Sequence, residues 1–461
     1  MKGYNKWSYA PYRPLMSEEN IYICRVVPYQ DKIHFEWLGE PHINYSVFLK
    51  EKDKVNFKKI AETVGNSFDI ENLKINTDYT FYISTSDNKS PIRFARTGFC
   101  EGITVNYLHP EDPVYSFSGS YLCSPSLLRH PDGYLLASMD VYANSAPQNL
   151  TLIFRSDDNG LSWHYLSELM PCFWGKMFIH NGDLYMLGCS TEYGDLIIGK
   201  STDGGKTFSA PVTIMRGLNG KAGSEGFHTN PQNFVVFKDR IYRAVEWGSW
   251  SNKEYGHIPI VMSCNINDDL LVPENWSFTE PVQYDFSVDG FGRVGNAMTI
   301  EGTLVPSNDG RLYNILRYNR SGYAAVYEVD TDNPEAPLKQ AYCMPFDAHR
   351  SKFMIKYDDV SERYYSIGDC SYENSNWNAR NFLCLLSSAD LKEWHRDAVL
   401  LDYREYNYER VGFQYVDFII EGNDIIYLCR TGMNNPNSFH DTNYQTFHRI
   451  KNFRDYVGGT V

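Results

Sequence analysis

From about residue 105 the chain repeats one unit, and that repeat limits its fold more than any other feature. "SLLRHPDGYLLASMD" (126–140) reads as strand, Pro-Asp-Gly turn, strand, and "LTLIFRSDDNGLSWHYLSEL" (150–169) supplies a second hairpin. "GKMFIHNGDLYMLGCS" (175–190) repeats the first half around Asn181-Gly182, a hairpin signal, and "GDLIIGKSTDGGKTFSAPV" (194–212) repeats the second. Weaker copies begin at "NFVVFKDRIYRAVEWG" (233–248), "LVPSNDGRLYNILRYN" (304–319), "KFMIKYDDVSERYYSIG" (352–368) and "VDFIIEGNDIIYLCRT" (416–431). Each four-stranded unit buries its faces only against its neighbours, so the array must close on itself. The pattern predicts an all-β fold, with a six-bladed β-propeller over 105–461. Seven blades remain open if one unit merges two. The terminal strand is expected to close the ring by pairing near residues 106–118.

Residues 20–104 follow a different pattern. "KIHFEWLG" alternates Ile33, Phe35 and Trp37 with His34 and Glu36, the period of a half-buried strand. "LKINTDYTFYIS" places Leu73, Thr77 and Tyr79 at a corner before another alternating strand. An early Trp and a late Tyr corner predict an immunoglobulin-like sandwich, and the stretch resembles a fibronectin type III domain. No chemistry is visible there, so a spacer or docking role is expected. Residues 1–19 are read as an N-terminal extension.

Bulk properties exclude several functions. The 461 residues carry a formal charge of -14 with no Lys/Arg run, which argues against nucleic acid and anionic membrane as partners. The start lacks a signal-peptide core, and no segment approaches the ~20 apolar residues of a membrane span. Ten cysteines form no CxxC pair, so no metal site is predicted. They read as buried free thiols in a reducing compartment, and a cytoplasmic location is expected. No cofactor is predicted, although the sequence leaves a structural cation on the propeller axis open. Oligomeric state is not fixed by the sequence.

The turns "RSDDNGLSW" (155–163) and "KSTDGGKTF" (200–208) resemble the Asp-box of the sialidase superfamily, and "SSADLKEW" (387–394) is a degenerate third copy. Asp158 and Asp203 are expected to accept backbone N–H bonds, with Gly160 and Gly205 at left-handed positions. The turn therefore reads as structural, and the resemblance places it on the rim away from the active face. The resemblance also implies three arginines gripping a substrate carboxylate, the first in an Arg-Ile-Pro motif. The matching stretch here is "YLCSPSLL", with Cys123 where that arginine should stand. A thiol does not replace a bidentate guanidinium. The chain is closer to bacterial sialidase-like proteins related to propeller enzymes that cut rhamnose from glucuronate. "CSPSLL", "FWGKMF", "HTNPQ", "IEGT", "SKFMIKYD", "GFQYVDF" and "FHDTNYQTFHRI" carry that likeness. Met139 stands where a His often precedes the strand-end Asp in those relatives.

Polar residues interrupting apolar inner strands are the candidates for chemistry. Asp140, Glu192, Tyr193, His228, Glu301 and His440 are the predicted catalytic set, as acids, bases or a Tyr beside a carboxylate. Arg317, Arg380 and Arg430 occupy corresponding positions in their units and are expected to bind a carboxylate from different sides. Lys352 is placed with them. Glu246 needs a cation or a cavity, because an unpaired buried carboxylate is costly. Trp174, Lys176, Asn230, Gln414 and Tyr415 complete the predicted substrate-binding set, Trp174 as a sugar-stacking wall together with Trp247 and Trp250. The expected function is exo-acting hydrolysis of a terminal sugar at or next to an acidic unit of a glycan. Elimination by a polysaccharide lyase is one alternative, and non-catalytic glycan binding is another.

Overall fold

The structure is a computed structural model that describes residues 21–144, 146–217, 225–252, 256–282, 284–285, 287–288, 291, 299–318 and 321–459. The extension expected over 1–19 lies outside the described residues. Helix is confined to short 3-10 turns such as Pro113–Tyr115, and among the described residues no helix is long and apolar enough to cross a membrane.

The front part forms two antiparallel sheets. One joins Tyr22–Pro28, Ile33–Leu38 and Ser67–Ile70, and the other joins Lys58–Val64, Asn44–Glu51, Asp78–Ser84 and Arg93–Arg96. Alternation in "KIHFEWLG" turns Ile33, Phe35 and Trp37 inward, where they meet Val47 and Phe81 in one apolar cluster. The Tyr79 hydroxyl accepts the Lys74 backbone N–H at 2.9 Å, which pins the corner.

This unit is not a bead on a string. Arg25 donates to the carbonyls of Val105 and Thr104 at 2.7 and 3.1 Å and pairs with Glu36 at 2.7 Å. Arg93, fully buried, pairs with Asp112 at 2.7 Å. Tyr22 packs in the core of the following region, and Tyr107 and Tyr444 pack in the core of the front unit.

Beyond it, the described residues form six antiparallel sheets in sequence order. Their innermost strands start with Tyr121–Arg129, Phe173–His180, Gly226–His228, Thr299–Pro306, Ile355–Asp358 and Gly412–Glu421. The first five sheets are built from consecutive strands. The sixth takes its outermost strand from far back in the chain: Ile103–Tyr107 pairs with Tyr444–Ile450. Ring closure thus uses 103–107, slightly ahead of the expected 106–118, and the expected boundary at 104/105 falls inside this strand.

The two turns that resemble an Asp-box make the predicted bonds. Asp158 accepts from Ser162 N at 2.9 Å and Ser162 Oγ at 2.6 Å, and Asp203 accepts from Thr207 N and Oγ1 at the same two distances. Gly160 and Gly205 both adopt φ +91°. Trp163 is fully buried and Phe208 nearly so. In the third copy Asp390 accepts from Lys392 N and Glu393 N at 2.8 and 2.9 Å. Pairing of Leu135 with both Ser156 and Arg129 puts the first turn at one end of its sheet. The other end, where Cys123 lies opposite Asp140, carries the site.

Candidate active site

Four innermost strands contain the same irregularity at that second end. Between Cys123 and Ser126, Phe173 and Lys176, Ile300 and Thr303, and Gln414 and Asp417, the inner strand spends one residue more than its partner. These are β-bulges, which re-aim a side chain and often lie beside functional sites. In each, one non-glycine residue adopts a left-handed backbone: Ser124 (φ 54°), Trp174 (φ 54°), Glu301 (φ 63°) and Tyr415 (φ 57°). Such backbone is strained for these residue types and persists only where the surroundings hold it. All four line one cavity of about 330 Å³ at the mouth of the ring.

Carboxylates from neighbouring sheets hold two of the bulges. Asp140, on the second strand of the first sheet, accepts the Trp174 N–H at 2.7 Å and the Thr151 hydroxyl at 2.5 Å. Glu246, on the second strand of the third sheet, accepts the Gly302 N–H at 2.8 Å. A Cβ at Gly302 would stand 2.3 Å from Asn314 Oδ1, so the residue after Glu301 has no room for a side chain. Burial pushes the Asp140 carboxyl up to about 7, against the hydrogen bonds from Thr151, Ser124 and Trp174.

The structure therefore sorts the predicted residues. Glu192, Glu301, His228, His440, Trp174 and Asn230 line the cavity, as do Arg317, Arg380, Arg430 and Tyr415. Asp140, Tyr193, Glu246, Lys176, Lys352 and Gln414 do not, and this corrects their expected placement. All but Lys176 touch a residue that does. Tyr193 backs Trp174 with ring centroids 5.8 Å apart, and its hydroxyl meets His257 Nε2 at 3.1 Å. Glu246 also accepts from His228 Nδ1 at 2.6 Å. Gln414 accepts a bond from Arg380. Lys176 pairs with Asp417 below the mouth. Lys352, fully buried, donates to the carbonyls of Pro231 and Val416 at 3.2 and 3.3 Å, tying the third sheet to the sixth. Burial pushes its ammonium down to about 7. Lys176, Lys352 and Arg243 lie close enough for each charge to oppose the others. Among the described residues no group of three His, Cys, Asp or Glu is placed to share a metal ion.

The cavity gathers cations with few anionic partners. Arg317 pairs with Glu301 at 2.8 Å, both side chains nearly inaccessible. Arg380 and Arg430 lie over the Tyr415 ring, with guanidinium carbons 5.5 and 5.0 Å from its centroid. Arg430 donates to the Tyr142 hydroxyl at 2.7 Å. A fourth arginine, Arg350, holds Ser375 Oγ at 2.6 Å and the Asn376 carbonyl. The Nε atoms of Arg350, Arg380 and Arg430 are buried without an acceptor in the protein. Burial raises the Tyr415 phenol, Glu301 adds to that, and the three arginines Arg317, Arg380 and Arg430 oppose it. Cys123 lines the same wall: burial and Asp140 push its thiol up, and Arg430 opposes them. Arg430, from the last sheet, thus brings a guanidinium beside the position where the sequence lacks one. His440 meets the Tyr142 hydroxyl at 3.0 Å and Asp441 at 3.1 Å. Burial and Arg430 together hold its imidazole well below the usual range, so it is neutral at neutral pH.

Sequence reading missed Arg350, Tyr142, Ser124 and Trp377. Arg350 stands two residues before Lys352, which was singled out, and shares its polar run. Trp377 lies in an irregular loop with no periodic signal.

No protein-family model matches the sequence, and no curated relative does. Solved structures do resemble the fold. A Penicillium chrysogenum alpha-L-arabinanase complexed with arabinobiose is similar at 14% identity, with 77% of this chain and 98% of that one covered and a TM-score of 0.51. A Hadza microbial sialidase is similar at 12% identity over 96% of this chain and 98% of its own, TM-score 0.51. A leech intramolecular trans-sialidase is similar at 10% identity over 99% of this chain and 94% of its own, again at 0.51. The chain has the sialidase-like propeller fold.

Proposed function

We propose that this chain is a carbohydrate-active enzyme, an exo-acting glycoside hydrolase that takes a terminal acidic sugar by its carboxylate. The observation that carries the reading is the convergence of Arg317, Arg380 and Arg430, from three different sheets, on one cavity. A bound carboxylate would take charge-assisted, fork-like bonds from the guanidinium groups of Arg380 and Arg430. The fold likeness to a sialidase and a trans-sialidase supports it.

Two of the four carboxylates considered from sequence reach the cavity, Glu192 and Glu301. Tyr415 is the nucleophile in this reading. Glu301 takes its proton, and Arg317, Arg380 and Arg430 stabilise the phenolate as it forms. Glu192, which accepts from Gln148 Nε2 at 3.1 Å, delivers a proton to the leaving oxygen. His228, oriented by Glu246, and neutral His440 hydrogen-bond the sugar hydroxyls. Asp140 and Glu246 act through the backbone of the bulges. The ring is a six-bladed propeller with a fibronectin III-like domain fused to it. The scattered cysteines, with no CxxC pair among them, fit a cytoplasmic enzyme.

The test is a screen of aryl glycosides of sialic, glucuronic and galacturonic acids beside their neutral counterparts. Turnover of an acidic glycoside, lost in Arg430→Met, is expected. Equal turnover of neutral sugars overturns the carboxylate reading. A product absorbing in the near ultraviolet replaces hydrolysis with elimination, and saturable binding without turnover leaves a glycan-binding propeller.

A further inference from the structure

Two tryptophans at the cavity depart from the usual burial of indoles. Trp250 is 42% exposed and Trp377 is 52% exposed, while every other tryptophan among the described residues is more buried. A single exposed ring is unremarkable; two on the lip of one polar cavity are a pattern. Both are held there. Arg350 anchors the loop of Trp377 through Ser375 Oγ and the Asn376 carbonyl, and Ala379 N bonds Asn376 O at 3.0 Å. Trp377 meets His349 with centroids 5.5 Å apart. Beside Trp250, Ser249 N bonds Gly256 O at 2.9 Å and Asn252 Nδ2 bonds Glu225 at 2.6 Å. Trp250 meets His257 at 5.0 Å. Trp250 follows the second strand of the third sheet and Trp377 follows the second strand of the fifth, so they flank the fourth, which carries Glu301 and Arg317.

We propose that Trp250 and Trp377 form a second sugar subsite on the lip, which stacks the unit next to the acidic terminal sugar. The proposal rests on the cavity reading above. Sugar rings present C–H faces that pack on indoles, and their hydroxyl edges need polar neighbours. Asn378 lines the cavity beside Trp377 and supplies one. The ligand class is therefore an oligosaccharide capped by an acidic sugar, not a single acidic sugar. A large indole ordered before binding gives area at little conformational cost.

The experiment is calorimetric titration of the full chain carrying Glu192→Gln to slow turnover. The probes are glucuronic, galacturonic and N-acetylneuraminic acids, trisaccharides capped by each, and neutral maltotriose. One capped trisaccharide is expected to bind at least tenfold more tightly than its free acid. Trp377→Ala and Trp250→Ala each should remove most of that gain and leave binding of the free acid unchanged, while Trp377→Phe should keep part of it. Equal affinity for acid and capped trisaccharide overturns the subsite and leaves the cavity reading standing. Maltotriose binding as tightly as any capped probe, with the same tryptophan dependence, keeps the lip as a sugar site and sinks the acid reading. No binding by any probe overturns both.

Discussion

The two ends of the ring spend hydrogen bonds differently. At the Asp-box end, Asp158 and Asp203 bond residues of their own turn, four positions away in sequence. At the mouth, Asp140 bonds Trp174, thirty-four positions away in the next sheet, and Glu246 bonds Gly302, fifty-six away. Local bonds make a turn that any sheet could carry. Bonds between sheets position strained residues around a shared space. The first arrangement stabilises hairpins, and the second sets a site.

The largest effect expected from this contrast comes from Glu301→Gln. It should lower kcat by about a thousandfold, within the range for loss of a positioned base. Arg317 is left buried opposite a neutral amide, so the unfolding temperature should fall as well, and kcat is read on protein whose tryptophan fluorescence shows it folded at the assay temperature. A variant that melts earlier but keeps near-parent kcat would place Glu301 with the structural carboxylates. Arg317 pairs with Glu301, so Arg317→Met should reproduce much of the activity loss.

Asp140→Asn comes next and should affect both properties. The amide has one acceptor oxygen fewer, which weakens the bond from Trp174 or from Thr151, so KM rises several-fold and stability falls most at acid pH, where the parent carboxyl is neutral and free of the burial penalty. Its pH signature is distinctive. The folded carboxyl titrates at about 7 against an ordinary 3.8, so the folded state binds more protons between those values. Stability should therefore fall as pH rises from about 4 to 7 and level off above, with a slope approaching about 1.4 kcal/mol per pH unit. The Asn variant should lose that slope in urea unfolding at stepped pH. An unchanged slope would remove Asp140 from its role in holding the bulge.

Legibility divides along the same line. The hairpins, the corner at Tyr79 and the Asp-box turns were readable because each is a short-range pattern of turn residues and alternating strands. The bulges were not. Their left-handed positions hold Ser124, Trp174, Glu301 and Tyr415, where sequence rules look for glycine. Three arginines singled out in the sequence share one cavity, but only Arg317 and Arg430 do so from corresponding second-strand ends; Arg380 reaches it from the connection ahead of Phe382–Ser388, which corrects the expected equivalence. Asp140 and Glu246 looked like Glu192 and Glu301 because a polar residue in an apolar strand signals only that a partner exists. Whether the partner is a substrate or a neighbouring N–H depends on the bulge next door.

Asp158→Ala should have a smaller, one-sided effect. It removes three bonds within an exposed turn, for a loss of about 1 kcal/mol in urea unfolding. At 25 °C kcat and KM should stay within twofold of the parent. A large activity loss without destabilisation would mean that the two ends of the ring communicate.

Lys352 gives the smallest effect and tests whether the floor of the mouth belongs with its wall. It sits beneath Tyr415, bonded to the next residue's carbonyl, but does not reach the cavity. Its folded pKa of about 7 lies below the ordinary 10.5. Between those values the unfolded chain binds more protons, so stability rises with pH there. Below about 7 both states are charged and the burial penalty is carried in full. Lys356, pushed down to about 8 by burial, contributes with the same sign. Lys352→Met should flatten, without abolishing, the rise in urea stability between pH 7 and 9. If kcat falls no more than a few-fold, the lysine holds two sheets together from below. If kcat falls a hundredfold while stability holds, Lys352 acts on the Tyr415 bulge itself, and the mouth extends one layer deeper than its lining suggests.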